Sequence, residues 1–162
     1  MALVQANAPS SNFFLDGNFS PVHEERDVED LEVIGAIPTD LQGQFLRVGP
    51  NPVHVFSEEA YHTFDGDGMI AAMRFENGSV SLSNRFVRTE GWLAEEKVGK
   101  VLYRGVFGSQ KPGGRLANAF DLRLKNIAHT NVVRLGDQLL ALWEAAEPHA
   151  LDPRLISPWL LI

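Results

Sequence analysis

DGDGMIAAMRFENGSVSLSNRFVR, residues 65–88, sets two strand-like runs on either side of Asn77-Gly78. Asn-Gly between such runs is a strong hairpin signal, because both residues accept positive φ. Residues 69–75 are apolar at nearly every position. Residues 79–88 alternate, with Val80, Leu82 and Val87 separated by polar neighbours, as in a strand with one wet face. Asp65-Gly66-Asp67-Gly68 opens the unit as a tight turn. The pattern recurs downstream, where residues 131–135 and 138–144 flank Gly136-Asp137, a connection suited to a primed turn. Val132, Leu140 and Leu142 are expected on one face, and Val133, Leu139, Ala141 and Trp143 on the other. Apolar residues on both faces predict burial within a larger β structure. Two hairpins about 55 residues apart match repeated sheet units such as propeller blades. The expected class is all-β.

Around these hairpins the chain reads less regularly. Residues 1–20 form an expected extended arm rich in Asn, Ser and Pro, with Phe13, Phe14, Leu15 and Phe19 as anchors. Residues 24–32 are acidic and read as solvated surface. A turn at residues 39–43 leads into a strand at 44–48, which Gly49-Pro50-Asn51-Pro52 is expected to end, since proline gives no N–H to a ladder. Residues 91–100 (GWLAEEKVGK) predict one or two helical turns. Residues 107–120, with Gly108, Pro112, Gly113 and Gly114, predict a flexible loop.

The 162 residues suffice for a domain with a real core, and 44% hydrophobic with 22% charged residues is a globular composition. A net charge of −7 argues against sequence-independent nucleic-acid binding and against simple attraction to an anionic membrane. The absence of cysteine excludes disulfides, thiolate zinc sites and Cys nucleophiles. The first twelve residues have no basic segment leading into an apolar one, so the expectation is a cytoplasmic protein, with peripheral membrane contact left open.

Several motifs fail on inspection. Asp65, Asp67 and Glu76 fall at positions 1, 3 and 12 of a calcium loop, but Met69 and Ile70 stand at positions 5 and 6, where a ligand and a glycine belong. There is no nucleotide-binding glycine pattern and no G-x-S-x-G elbow. His23, His54, His62, His129 and His149 show no metal-binding spacing. A site built in space from His54, His62 and His129 stays open as a minor alternative.

Three segments, residues 35–52 (GAIPTDLQGQFLRVGPNP), 61–75 (YHTFDGDGMIAAMRF) and 125–153 (KNIAHTNVVRLGDQLLALWEAAEPHALDP), resemble in this order the N-terminal part of the carotenoid cleavage oxygenases. The resemblance implies a seven-bladed β-propeller carrying Fe(II) on four histidines, and cleavage of carotenoid or apocarotenoid C=C bonds by O2 to aldehydes or ketones. It implies that residues 21–153 belong to the propeller, that residues 154–162 form a non-matching tail, and that the first iron ligand lies beyond residue 153. The chain alone is therefore expected to bind no iron and to be inactive. By the same resemblance Thr130 approaches the open side of the iron, Trp143 lines the substrate tunnel, and Glu144 accepts a hydrogen bond from an iron-bound histidine. The plainer reading is that Trp143 and Glu144 end a hairpin strand. The alternative function is a non-catalytic β fragment binding an apolar ligand, a membrane surface or a full-length relative.

Overall fold

The computed structural model describes residues 11–152, so the first ten residues and the tail from residue 153 lie outside the described residues. Among the described residues, seven strands form two antiparallel sheets. The first contains β1 (Arg26–Val28), β2 (Gly43–Asn51), β3 (Asp67–Glu76) and β4 (Ser79–Phe86), in the order β1-β4-β3-β2. The second contains β5 (Asn131–Leu135), β6 (Gln138–Leu142) and β7 (His149–Leu151) in sequence order. Helices α1 (Glu90–Val98) and α2 (Gly114–Ala119) lie in the connection between the sheets. No described helix is long and apolar enough to cross a membrane.

The first hairpin turns through Asn77 and Gly78, both at positive φ (51° and 82°), the conformation that Asn-Gly favours. Its register pairs Glu76 with Ser79 and Met69 with Phe86. The core lies between the sheets. Ile70 and Ala72 of β3 pack with Leu46 and Val48 of β2, Leu139 and Ala141 of β6, Val132 of β5 and Leu151 of β7, joined by Val87 and Ala128.

Several expectations are corrected. β2 runs on through Gly49-Pro50-Asn51, pairing Pro50 with Gly68, because it is an edge strand and needs no N–H on its open side. The second hairpin pairs Val132 with Ala141 and Val133 with Leu140, which puts Val132 on the core face with Leu139 and Ala141. β6 ends at Leu142, so Trp143 and Glu144 lie past the strand. The polar face of β4 is not wet throughout: Ser83 is buried and donates to Asp27 Oδ1 at 2.7 Å.

Nor is the acidic stretch simply solvated. Asp27 also pairs with Arg85, and Glu25 accepts from Phe86 N at 2.9 Å and from Arg88 at 2.8 Å. Within the arm, Asn12 and Asp16 cap two 3-10 turns at Phe13–Leu15 and Gly17–Phe19, and Phe13, Phe14 and Phe19 pack against one another. The glycine-rich segment before residue 120 contains α2. Asn118 brackets it by exchanging hydrogen bonds with the Lys111 backbone, and Asp121 binds Lys111 and Arg123.

Candidate functional site

The expected turn at residues 65–68 is instead the junction of a 3-10 turn (Thr63–Asp65) with the start of β3, and it is the hub from which the site is built. Asp65 Oδ1 accepts from the backbone N–H of Val106 (2.7 Å) and Phe107 (2.9 Å), and Oδ2 from that of Ser109 (3.0 Å). The 105–109 loop comes so close that a Cβ on Gly105 would sit 2.1 Å from the Asp65 carboxyl carbon. Asp67 is buried beside Lys125 Nζ, at 2.8 and 2.9 Å from its two oxygens. The same ammonium reaches Glu95 Oε2 of α1 at 2.5 Å, while Glu95 Oε1 accepts from Leu102 N and Tyr103 N.

Burial pushes the Asp67 carboxyl above its ordinary range, against the pull of Lys125. For Lys125, burial works against the charge, but Asp67 and Glu95 together outweigh it and hold the ammonium above the usual lysine value. Burial also raises the Tyr61 phenol, with Asp65 and Asp67 adding to the effect. A small cavity of about 50 Å³ touches Tyr61, Asp67, Glu95 and Lys125, and Trp143 forms part of its wall.

On its other side Trp143 faces an open cleft of about 640 Å³. Val48, Pro50, Phe64, Val106, Phe107, Leu124 and Trp143 give this cleft an apolar lining, and Arg47, His129, Thr130 and Glu144 supply its polar groups. Thr130 Oγ1 donates to Glu144 Oε2 at 2.9 Å, and Thr130 N continues the ladder onto the Leu142 carbonyl at 3.0 Å. Glu144 is held below the usual glutamate value by its own backbone N–H and then by the Thr130 hydroxyl, so it is an anion near neutral pH. His129 Nε2 lies 3.0 Å from the Phe64 carbonyl, which makes it the protonated nitrogen. Phe64, Phe107 and His62 form an aromatic rim, with the His62 and Phe107 rings stacked at 5.2 Å.

The three residues expected at the site, Thr130, Trp143 and Glu144, thus converge on one cleft although 13 positions separate the first from the second. The histidines are not gathered. His54 pairs with Glu96, His62 caps a 3-10 turn, His129 meets a carbonyl, and His149 sits on β7. Among the described residues no three His, Cys, Asp or Glu side chains are grouped as a metal site. Sequence reasoning missed the Lys125–Asp67–Glu95 cluster and the architectural work of residues 65–68. The one signal for them was the alternation of aspartate and glycine, which suits backbone packed against backbone as well as a turn.

The family model described as RPE65, retinal pigment epithelial membrane protein, matches residues 19–159. The apocarotenoid-15,15'-oxygenase of Synechocystis is 54% identical over 127 residues, covering 78% of this chain and 26% of the relative. A carotenoid 9,10(9',10')-cleavage dioxygenase 1 of Pisum sativum is 39% identical, covering 85% of this chain and 28% of the relative. The structure of the cobalt-substituted Synechocystis oxygenase superposes with a TM-score of 0.78 at 49% identity, over 84% of this chain and 29% of that one. Solved variants of the Synechocystis enzyme replace a threonine by alanine, a tryptophan by alanine, and a glutamate by aspartate or glutamine. The chain spans about a quarter of the length of these curated relatives.

Proposed function

Because this chain belongs to the RPE65 family of carotenoid cleavage oxygenases, as a partial β-propeller matching its N-terminal region, we propose that its cleft is part of the site where a carotenoid or apocarotenoid C=C bond is cleaved by O2. The observation that carries this reading is the meeting of Thr130, Trp143 and Glu144 at one apolar cleft. Their spacing in sequence equals that of the threonine, tryptophan and glutamate altered in the Synechocystis variants. An apolar wall suits a polyene, whose affinity comes from buried area at about 25 cal/mol per Å². Fe(II), when bound in the complete protein, supplies the activation of O2. The residues here fit its surroundings rather than its ligand set: Glu144 is an ionised acceptor able to take a ring N–H of a ligand histidine and fix its tautomer. Thr130 holds one oxygen of that carboxylate in place. The relatives are cleavage enzymes, which favours this reading over the binding-fragment alternative.

The test is saturable binding of an apocarotenoid aldehyde to the chain, read by quenching of tryptophan fluorescence. Trp143→Ala should weaken it about tenfold, in line with loss of roughly 1.4 kcal/mol of contact. No saturable binding by the wild-type chain would overturn the reading. In the full-length oxygenase Glu144→Gln should lower metal affinity or turnover about 10- to 100-fold.

The same proposal includes peripheral contact with a membrane near the cleft. Leu116, Phe120 and Leu122 are 76%, 80% and 81% exposed, and Leu124 lines the cleft. Of the cations in residues 97–125, Lys97, Lys100, Arg115 and Arg123 are exposed, whereas Lys111 and Lys125 are held by acids. Exposed apolar side chains in a segment that also carries exposed cations suit an anionic bilayer surface. Co-flotation with anionic vesicles should be lost in Leu116→Ser/Phe120→Ser; equal flotation of wild type and variant would remove this part.

A further inference from the structure

Ala128 joins the start of β3 to the cleft, and its backbone is unusual. It is fully buried and stands at φ 43°, a left-handed conformation that a residue with a Cβ seldom adopts. Its carbonyl oxygen lies against Gly68, where a Cβ would come within 2.3 Å of it, and Gly68 N donates to the neighbouring Ile127 carbonyl at 2.7 Å. Gly68 O in turn accepts from Val87 N at 2.7 Å, so the glycine is gripped from both sides. Three residues before Ala128, the buried Lys125 is tied to Asp67 and Glu95. Gly91 of α1 leaves room for the lysine stem, since a Cβ there would lie 2.3 Å from Lys125 Cγ. Two residues after Ala128, Thr130 donates to Glu144. Asn126 closes the segment by accepting from Ala128 N (3.1 Å) and donating to the Glu147 carbonyl (3.0 Å).

A strained residue persists only when its surroundings over-determine it, and such residues gather where direction matters. We infer that Gly68, Lys125 and Ala128 are positioning residues: the lysine triad and the Gly68 contact clamp Ala128 in the left-handed conformation, and that conformation turns His129 and Thr130 into the cleft so that Thr130 meets Glu144. This deepens the reading of the cleft as the oxygenase site by assigning what aims its polar groups. The glycine at 68 serves the cleft by lacking a side chain, and none of the three residues needs to touch substrate.

The test reads the Glu144 carboxyl by NMR titration in the 162-residue chain, and so is decided separately from whether the chain binds a polyene. Thr130→Val removes the donor and should move the Glu144 titration upward, toward that of a glutamate without a side-chain donor. Gly68→Ala, which pushes the Ala128 carbonyl away, should move it in the same direction although residue 68 lies outside the cleft. Adding Ala128→Gly to Gly68→Ala lets the backbone re-form the turn and should bring the titration part of the way back. A rescue of this kind is not expected of residues that only add stability. An unchanged Glu144 titration in folded Gly68→Ala, or in Thr130→Val, would overturn the inference. If Gly68→Ala does not fold, Ala128→Gly alone decides: a melting temperature held or raised is expected of a left-handed residue, and a lowered one overturns the assignment.

Discussion

Asp65 gives both carboxyl oxygens to backbone N–H groups of the 106–109 loop, which carries Val106 and Phe107 into the cleft lining. Asp65→Ala leaves three such groups without their acceptor; a hydrogen bond to a charged group contributes about 1.5–3 kcal/mol net, and the exposed N–H groups of Val106 and Phe107 regain part of it from water. The expected loss is about 2–4 kcal/mol in urea unfolding, with faster amide exchange at Val106, Phe107 and Ser109. His149 gives the pH dependence. Burial holds its pKa below the ordinary value, against the pull of Glu90. The folded chain then binds fewer protons there than the unfolded chain, so stability is complete above the unfolded histidine value of about 6.5 and declines as pH falls from there toward the lower folded value. In His149→Gln that slope should flatten, as urea midpoints at neutral and mildly acidic pH would report. At this scale the sequence was uneven. Thr130, Trp143 and Glu144 could be singled out as candidates because a long motif surrounds them, and the fold brings them to one cleft. Lys125 was not, because a lone lysine before an apolar pair looks like surface, and its partners Asp67 and Glu95 lie 58 and 30 positions away.

α1 shows what local signals reveal and what they leave out. Thr89 accepts from Trp92 N as N-cap, and Gly99 closes the helix at φ 65°, so both ends are written in the sequence. Its docking is not. The face that turns inward carries Gly91 and Glu95, four positions apart, one admitting the Lys125 stem and the other binding its head. Hydrophobic periodicity is silent about such a face. Gly91→Ala should therefore destabilise by about 1–3 kcal/mol, as overpacking does, even though alanine is the better helix former. A more stable variant in thermal unfolding would show that the lysine stem yields. The two hairpins were legible from their turns. The continuation of β2 through Pro50 was not, because the rule against proline holds for central strands and only the sheet order reveals an edge.

At the scale of the whole molecule, the two sheets meet through an apolar layer around Ile70 and Ala141, and a buried ionic cluster ties β3 to α1 and to the segment before β5 through Asp67, Glu95 and Lys125. These contribute differently. The apolar layer supplies burial, whereas two carboxylates and one ammonium taken out of water gain little net energy and instead fix one arrangement. Lys125→Met should cost about 3–5 kcal/mol, since it strands two buried acids, and Lys125→Met/Asp67→Asn/Glu95→Gln should recover part of that loss. Chemical denaturation of the two variants checks it; equal stabilities would mean that the acids find solvent. The repeat of hairpins announced sheet units, but their mutual packing depends on contacts of long sequence separation, to which a pattern-based reading has no access.

Lys125 also has a consequence for the order in which the molecule assembles. Each hairpin closes across a two-residue turn, a local event on a microsecond scale. The Lys125–Asp67 pair closes a loop of 58 residues, and the cluster is complete only when α1 offers Glu95. During synthesis all four strands of the first sheet leave the ribosome before the lysine does. The Ala128 backbone and the Thr130–Glu144 pair depend on contacts more distant in the chain than either hairpin turn, so amide protection at Thr130 in pulsed hydrogen exchange is expected to follow that at Ile70.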